Sequence, residues 1–260
     1  MRYTNVMRGA DPELFLIDRN NRPVTSIGRI GGTKEEPRPI DGMGSAVQED
    51  NVAVEFNIIP AADKETFVNN IQMVLAYLEE EVKAQELALL IVPSCYFTKE
   101  QLDNPQAQLL GCDPDMNVWT LMQNPRPKAP PLMRSAGGHL HLSWENPNRH
   151  DALDLVKAHD LFCAAPMVKF DKDKDRRSLY GKAGAFRFKP YGVEHRTMSN
   201  MWISSKALME FIYEQSEKAI KFLNDGGIIK KAHEMLIIET INQGDEDGLK
   251  KLGKLYPLGV

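Results

Sequence analysis

Cysteine is scarce in this chain: three in 260 residues, Cys95, Cys112 and Cys163, odd in number and widely spaced. That leaves no thiolate zinc spacing and no disulfide framework, as expected of a protein from a reducing cytoplasm. Long apolar runs are missing too. No stretch approaches the ~18 consecutive apolar residues of a membrane span. The start, Met1-Arg2-Tyr3-Thr4-Asn5, lacks the apolar run of a signal peptide. A cytoplasmic location without a membrane partner is therefore expected. Nor is there an excess of basic residues: 32 Lys and Arg against 36 Asp and Glu give a net charge of −4. Nucleic-acid binders normally carry a basic footprint, so nucleic acid is not expected as a partner except as a modified substrate. No repeat or low-complexity tract divides the sequence, and a single domain over residues 1–260 is expected.

What is present is a series of dispersed strand patterns with helices between and after them. Residues 14–18 read as a strand, 19–23 as a turn and 24–27 as the hairpin partner. A Gly- and Pro-rich loop follows over 31–41, then a strand over 51–59 ended by Pro60. After a candidate N-cap at Asp63, the apolar residues Phe67, Ile71, Val74, Leu75, Leu78 and Val82 recur at helical spacing. A strand is expected over 87–92. The proline-rich stretch 105–131 has a length that compact domains usually keep for function. Then come a strand over 139–144, a helix over 151–164, a charged loop over 171–177 and two short strands around Pro190. A helix capped by Ser204 should run to about Asn224, where Gly226-Gly227 stops it. Two shorter helices follow, the last starting near Asp245. This order implies an α+β fold with a largely antiparallel sheet.

Four of these segments carry polar residues at alternating positions. Side chains two apart on a strand share a face. Asp11-x-Glu13 precedes the apolar run Leu14-Phe15-Leu16-Ile17, which plants the pair at the rim of a core. Glu55-x-Asn57 lies in an apolar strand with Gln48, Glu49 and Asp50 upstream. His139-x-His141-x-Ser143 follows Gly137-Gly138, whose missing side chains permit close approach of a ligand. Glu194-His195-Arg196 ends a run containing Arg177, Lys182 and Arg187, and a glycine-flanked loop with Lys182 and Arg187 reads as a triphosphate clamp. Four such strands would line one acidic basin. Crowded carboxylates raise one another's pKa, so the basin calls for cations, and hard oxygen donors with an imidazole suit Mg²⁺ or Mn²⁺.

In this order the segments resemble the catalytic domain of the glutamine synthetase-like carboxylate–amine ligases. Asp11-Pro12-Glu13-Leu14-Phe15-Leu16 is similar to that superfamily's Glu-Pro-Glu-Phe-Phe-Leu strand, with Asp for the first Glu. His139-Leu140-His141-Leu142-Ser143 is similar to its Gly-x-His-x-His-x-Ser strand, and Glu194-His195-Arg196 to its closing Glu-x-Arg. The resemblance is closer to the phage-associated COOH.NH2 ligase type 2 family. There the Gly-Cys-Asp-Pro-Asp segment (here 111–115), the Gly-Gly-His-x-His strand and an Arg-Tyr-Gly-x-x-Gly-x-x-Arg-x-x-x-x-Gly-x-Glu-x-Arg run recur. Here two residues separate Arg177 from Tyr180-Gly181.

The resemblance implies a glutamine synthetase-like domain, a curved, largely antiparallel sheet with helices packed on one side. It implies ATP- and Mg²⁺-dependent formation of an amide through an acyl phosphate, with ADP released. The substrates would be a small-molecule or peptide carboxylate and an amine, in the host cytoplasm if the chain is phage-encoded, with oligomerisation left open. One cation would be held by Glu13 and Glu55, helped by Glu49 or Asp50, and the other by Asp11, His139 and Glu194. His141 and Ser143 would touch the nucleotide, with Lys182 and Arg177 as further nucleotide contacts. Arg187 and Arg196, with Glu194, would serve the phosphoryl transfer. The extra N-terminal domain of glutamine synthetase is not expected here, so neither is glutamine synthesis itself. The alternatives are a guanidino-kinase-like phosphotransferase and a catalytically inactive nucleotide-binding protein.

Overall fold

The computed structural model describes residues 1–108, 115–125, 128 and 130–259. Cys112, most of the 111–115 segment and part of the 105–131 stretch therefore lie outside the described residues. In chain order the strands are β1 (Met7–Ile17), β2 (Pro23–Val24), β3 (Arg38–Ile40), β4 (Ser45–Asp50), β5 (Ala53–Asn57), β6 (Ala88–Leu90), β7 (Ser94–Tyr96), β8 (Met116–Asn117), β9 (Met133–Ser135), β10 (Gly138–Ser143), β11 (Ala185–Lys189) and β12 (Gly192–His195). The helices are α1 (Lys64–Lys83), α2 (Lys99–Leu102), α3 (Pro105–Gln108), α4 (Arg149–His159), α5 (Ala165–Met167), α6 (Lys174–Leu179), α7 (Lys206–Asn224), α8 (Lys231–Gln243) and α9 (Glu246–Leu255).

Among the described residues ten strands form one sheet in the order β3-β4-β5-β1-β10-β12-β11-β8, with β2 and β6 paired to the far end of β1. Each ladder of this sheet is antiparallel, as the dispersed strand pattern predicts. The long first strand is the hub. Its first half pairs with β10, Glu13 and Leu14 pair with β5, and its end pairs with β6 and β2. A separate ribbon of β7 and β9 lies beside it.

Alternation in β1 sends Ala10, Leu14 and Leu16 into the core and leaves Gly9, Asp11 and Glu13 on the other face. The core face is covered by α1 and α7. Asp63 caps α1 by accepting from the Thr66 amide, and Phe67, Ile71, Val74, Leu78 and Val82 form its buried stripe. Burying a side chain of this size fully contributes roughly 1.5–3 kcal/mol each. These residues meet Val54, Phe56 and Leu140 from the sheet and Met209, Ile212 and Tyr213 from α7. On the opposite face Phe15 packs with Val52, Phe97, Leu102 and Ala136, closing one end of the polar surface.

Three local expectations change. The cap of α7 is Ser205, whose hydroxyl accepts from the Leu208 amide, rather than Ser204. The charged stretch 171–177 is helical in part, because Asp173 caps α6 through the Arg176 amide. The helix expected over 151–164 begins earlier, under the Asn148 cap, and widens into a π turn at Asp160–Ala164. No helix among the described residues is long and apolar enough to cross a membrane.

Candidate active site

The polar face of the sheet forms a cavity of about 560 Å³. Strand register decides which residues meet there. Asp11 lies opposite His139 and Gly9 opposite His141. His141 is opposite Glu194, which in turn is opposite Arg187. Glu13 stands opposite Glu55, and Glu55 opposite Gln48. Six strands thus put one continuous row of functional groups on one face.

Two acidic clusters result. Asp11, His141 and Glu194 each offer an atom within 4.8 Å of the others, as do Glu13, Asp50 and Glu55. In the first cluster His141 Nε2 faces Asp11 Oδ2 at 2.9 Å, and His141 Nδ1 contacts the Tyr191 hydroxyl. His139 Nδ1 lies 3.2 Å from Asp11 Oδ1 and 3.6 Å from Glu194 Oε1. In the second, Glu13 Oε2 accepts from the Gly137 amide at 2.7 Å and Glu55 Oε2 from Gln48 Nε2 at 2.7 Å. The paired glycines are fixed by space. A Cβ on Gly137 would run into the His139 ring, and one on Gly138 into the Trp202 indole.

The two carboxyls of the Asp11-Pro12-Glu13 tripeptide are driven in opposite directions. Burial works against the Asp11 carboxylate, but the His141 and His139 imidazoles outweigh it and hold the group well below the usual range. Burial, with Asp50 beside it, pushes Glu13 up. Glu194, also opposed by burial, is brought down to about 2 chiefly by Arg196. Burial disfavours the His141 cation, yet the Asp11 charge raises its pKa. Asp11 Oδ1 and Glu194 Oε2 are buried with ion-pair neighbours but no well-directed hydrogen bond among the described residues. Buried acceptors in that condition, in sets of carboxylates and one imidazole, fit hard divalent cations.

The arginines come next. Arg196 is buried, bonds to Glu194, and brings Nε to 2.7 Å from Asp115 Oδ1 and Nη1 to 3.2 Å from His139 Nδ1. Arg187 brings its Nε to 3.4 Å from the same Asp115 oxygen. Both arginines line the cavity, as do Ser143, Lys189 and Tyr191. Behind the sheet, buried Asp160 of the π turn supports His195 and Thr197, which flank Arg196.

Of the residues singled out in the sequence, Asp11, Glu13, Glu55, His139, His141, Ser143, Arg187, Glu194 and Arg196 are brought together in this cavity. Arg177 and Lys182 are not. Lys182 Nζ donates to the Arg177 carbonyl, and Arg177 donates to the Asp171 carbonyl beside a small cavity lined by Asp171 and Thr197. Between Glu49 and Asp50, geometry selects Asp50. Glu49 lies on the opposite face of β4 and accepts from the amides of Arg29, Ile30 and Gly31. Four lining or supporting residues had no role in the sequence reading: Gln48, Asp115, Lys189 and Tyr191. Lys189 follows Arg187 at i+2 and was legible by alternation, whereas Asp115 and Tyr191 reach the site from a loop and a turn.

Residues 129–224 match the phage phiEco32-like COOH.NH2 ligase-type 2 family. The resemblance read from the motifs is to that family. The matched segment carries His139, His141, Ser143, Arg187, Glu194 and Arg196, while Asp11, Glu13 and Glu55 lie before it. No curated protein matches the chain. Among solved structures it is similar to Plasmodium falciparum glutamine synthetase, at 10% identity over 85% of this chain and 52% of that one, TM-score 0.44. It is also similar to GmaS in an ADP complex, at 10% identity over 96% and 68%, TM-score 0.42. GmaS without ligand gives 10% identity over 96% and 67%, TM-score 0.44. The chain spans about half the length of the glutamine synthetase.

Proposed function

We propose that the chain is an ATP- and Mg²⁺-dependent carboxylate–amine ligase that forms an amide through an acyl phosphate. The observation that carries this reading is the pairing of two acidic clusters with two arginines in a single cavity. The family match over β10, β11 and β12 supports it. Glu13, Asp50 and Glu55 would hold one cation, and Asp11, His139, His141 and Glu194 the other. Bound there, Mg²⁺ or Mn²⁺ supplies neutralisation of phosphate charge. The resemblance gives His141 to the nucleotide; it stands within the Asp11–Glu194 cluster and is given to the cation here, while Ser143 keeps the nucleotide.

Phosphoryl transfer needs positioning and charge neutralisation more than covalent help. A substrate carboxylate oxygen attacks the γ-phosphorus, the bond to ADP breaks, and an acyl phosphate forms. Arg187 and Arg196, oriented by their shared partner Asp115, offer planar donors to the transferring group. The amine then attacks the acyl carbon, gives up a proton and expels phosphate. Gly9 lines the cavity without adding a side chain to it.

Nucleotide turnover with Mg²⁺, ATP and pooled amino acids and peptides tests this reading. ADP release that needs both amine and carboxylate, with a product lighter by one water than their sum, is the expected result. ADP with a phosphorylated amine would make the protein a phosphotransferase instead. ATP binding without turnover across a broad amine and carboxylate panel would make it a binding protein.

A further inference from the structure

Glu194 is almost sealed in the sheet, 1% exposed, and has two cationic neighbours of different character. Arg196 gives a directed hydrogen bond to Oε1. Lys189, from the neighbouring strand, stands with Nζ 2.8 Å from Oε2 but off the axis of a good hydrogen bond, so that oxygen has no directed donor among the described residues. The lysine contact is therefore coulombic. It is made by a compact charge on a flexible four-carbon stem, with the side chain 30% exposed to the cavity. The same carboxylate belongs to the Asp11–His141–Glu194 cluster. Lys189 and Arg187 are two apart on β11 and share its cavity face.

We propose that the Lys189 ammonium is the resting counter-ion of the Asp11–His141–Glu194 cluster, displaced from Glu194 when a divalent cation enters, and that it then joins Arg187 on the transferring phosphoryl group. The exchange swaps one cation for another on a fixed carboxylate, with no bond made or broken. Its first half needs only cation binding by the cluster; the second rests on the ligase reading above.

Mn²⁺ binding to the full chain, followed by calorimetry and by electron paramagnetic resonance, tests it with Lys189→Met, Lys189→Gln and Lys189→Arg. Removing the competing charge in the first two should tighten one of two Mn²⁺ sites about tenfold and leave the other unchanged. Lys189→Arg should stay near the parent affinity, and thermal melts check that each variant is folded. ATP turnover should fall about a hundredfold in Lys189→Met. Equal or weaker Mn²⁺ affinity in Lys189→Met and Lys189→Gln would overturn the displacement. Tighter Mn²⁺ with unchanged turnover would overturn the phosphoryl role alone. A parent chain that binds Mn²⁺ but turns over no ATP would sink the ligase reading while the affinity comparison still decides the displacement. A chain that binds no Mn²⁺ in any form overturns both.

Discussion

His195 Nε2 donates to Asp160 Oδ1 at 2.9 Å on the side of the sheet away from the cavity. Thr197 Oγ1 donates to the same oxygen at 2.9 Å, and Trp119 Nε1 to Oδ2 at 2.7 Å. Residues 195 and 197 bracket Arg196, so one buried carboxylate fixes the alternation that turns Glu194 and Arg196 toward the cavity. Asp160→Ala takes the carboxylate acceptor from His195 and Trp119 and leaves Thr197 only the Lys182 carbonyl at 3.3 Å, and is expected to cost about 3–5 kcal/mol. A lowered urea midpoint would register it. Asp160→Asn keeps the volume and one acceptor, and should lose less stability.

Glu194→Gln removes a charge from the first cluster at almost constant shape. Turnover should fall about a hundredfold, and Mn²⁺ affinity at one site should fall with it. Full activity in this variant, measured as ADP release, would remove Glu194 from the cation site.

Cation binding should raise thermal stability. A ligand at a hundred times its Kd stabilises by about 2.7 kcal/mol, so the melting temperature should climb with Mn²⁺ and return with a chelator. Glu13→Gln and Asp50→Asn, on the other cluster, should each weaken that rise without unfolding the protein, whose core lies on the opposite face. A rise untouched by both substitutions would place the cation elsewhere.

Acid should destabilise the chain through His159. Burial, with His195 beside it, brings its pKa down to about 3, whereas an unfolded histidine titrates near about 6.5. Its Nδ1 faces the Leu155 carbonyl at 2.9 Å and its Nε2 the Ser216 hydroxyl at 2.9 Å, an arrangement that suits the neutral ring. Between those two pH values the unfolded chain binds more protons, so stability declines as pH drops. His141, with its pKa raised, loses its contribution as pH rises and adds no slope below the unfolded value. Urea midpoints between pH 7 and pH 5 should therefore fall, and His159→Gln should flatten that limb. An unchanged slope in the variant would assign the acid effect to other groups.

Period-two alternation made much of the site legible in advance. It put Asp11 with Glu13 and His139 with His141 and Ser143, and the helical stripe of α1 was equally plain. Register between strands was not legible, because it depends on which strands pair. Glu49 and Asp50 are adjacent in sequence and lie on opposite faces, and only the Gln48–Glu55 pairing decides which one joins Glu13. Lys182 reads as part of a clamp with Arg187, and Arg177 as a further nucleotide contact, yet neither Arg177 nor Lys182 lines the cavity. Gly181, in the left-handed region between them, turns the chain in a way no periodicity encodes. Asp115 carries both arginines from a loop, where sequence fixes a residue type but not a direction.

The hub position of β1 has a consequence for synthesis. This strand leaves the ribosome well before its partner β10 and the closing strand β12, which come far downstream. Until they arrive, one edge of β1 has no native partner along residues 7–12 and its carboxylates have no imidazoles to meet. Pairings so distant in sequence form slowly, and an open strand edge invites association with other chains. Charged side chains on an open strand oppose such association, and Asp11 and Glu13 place two of them on this one.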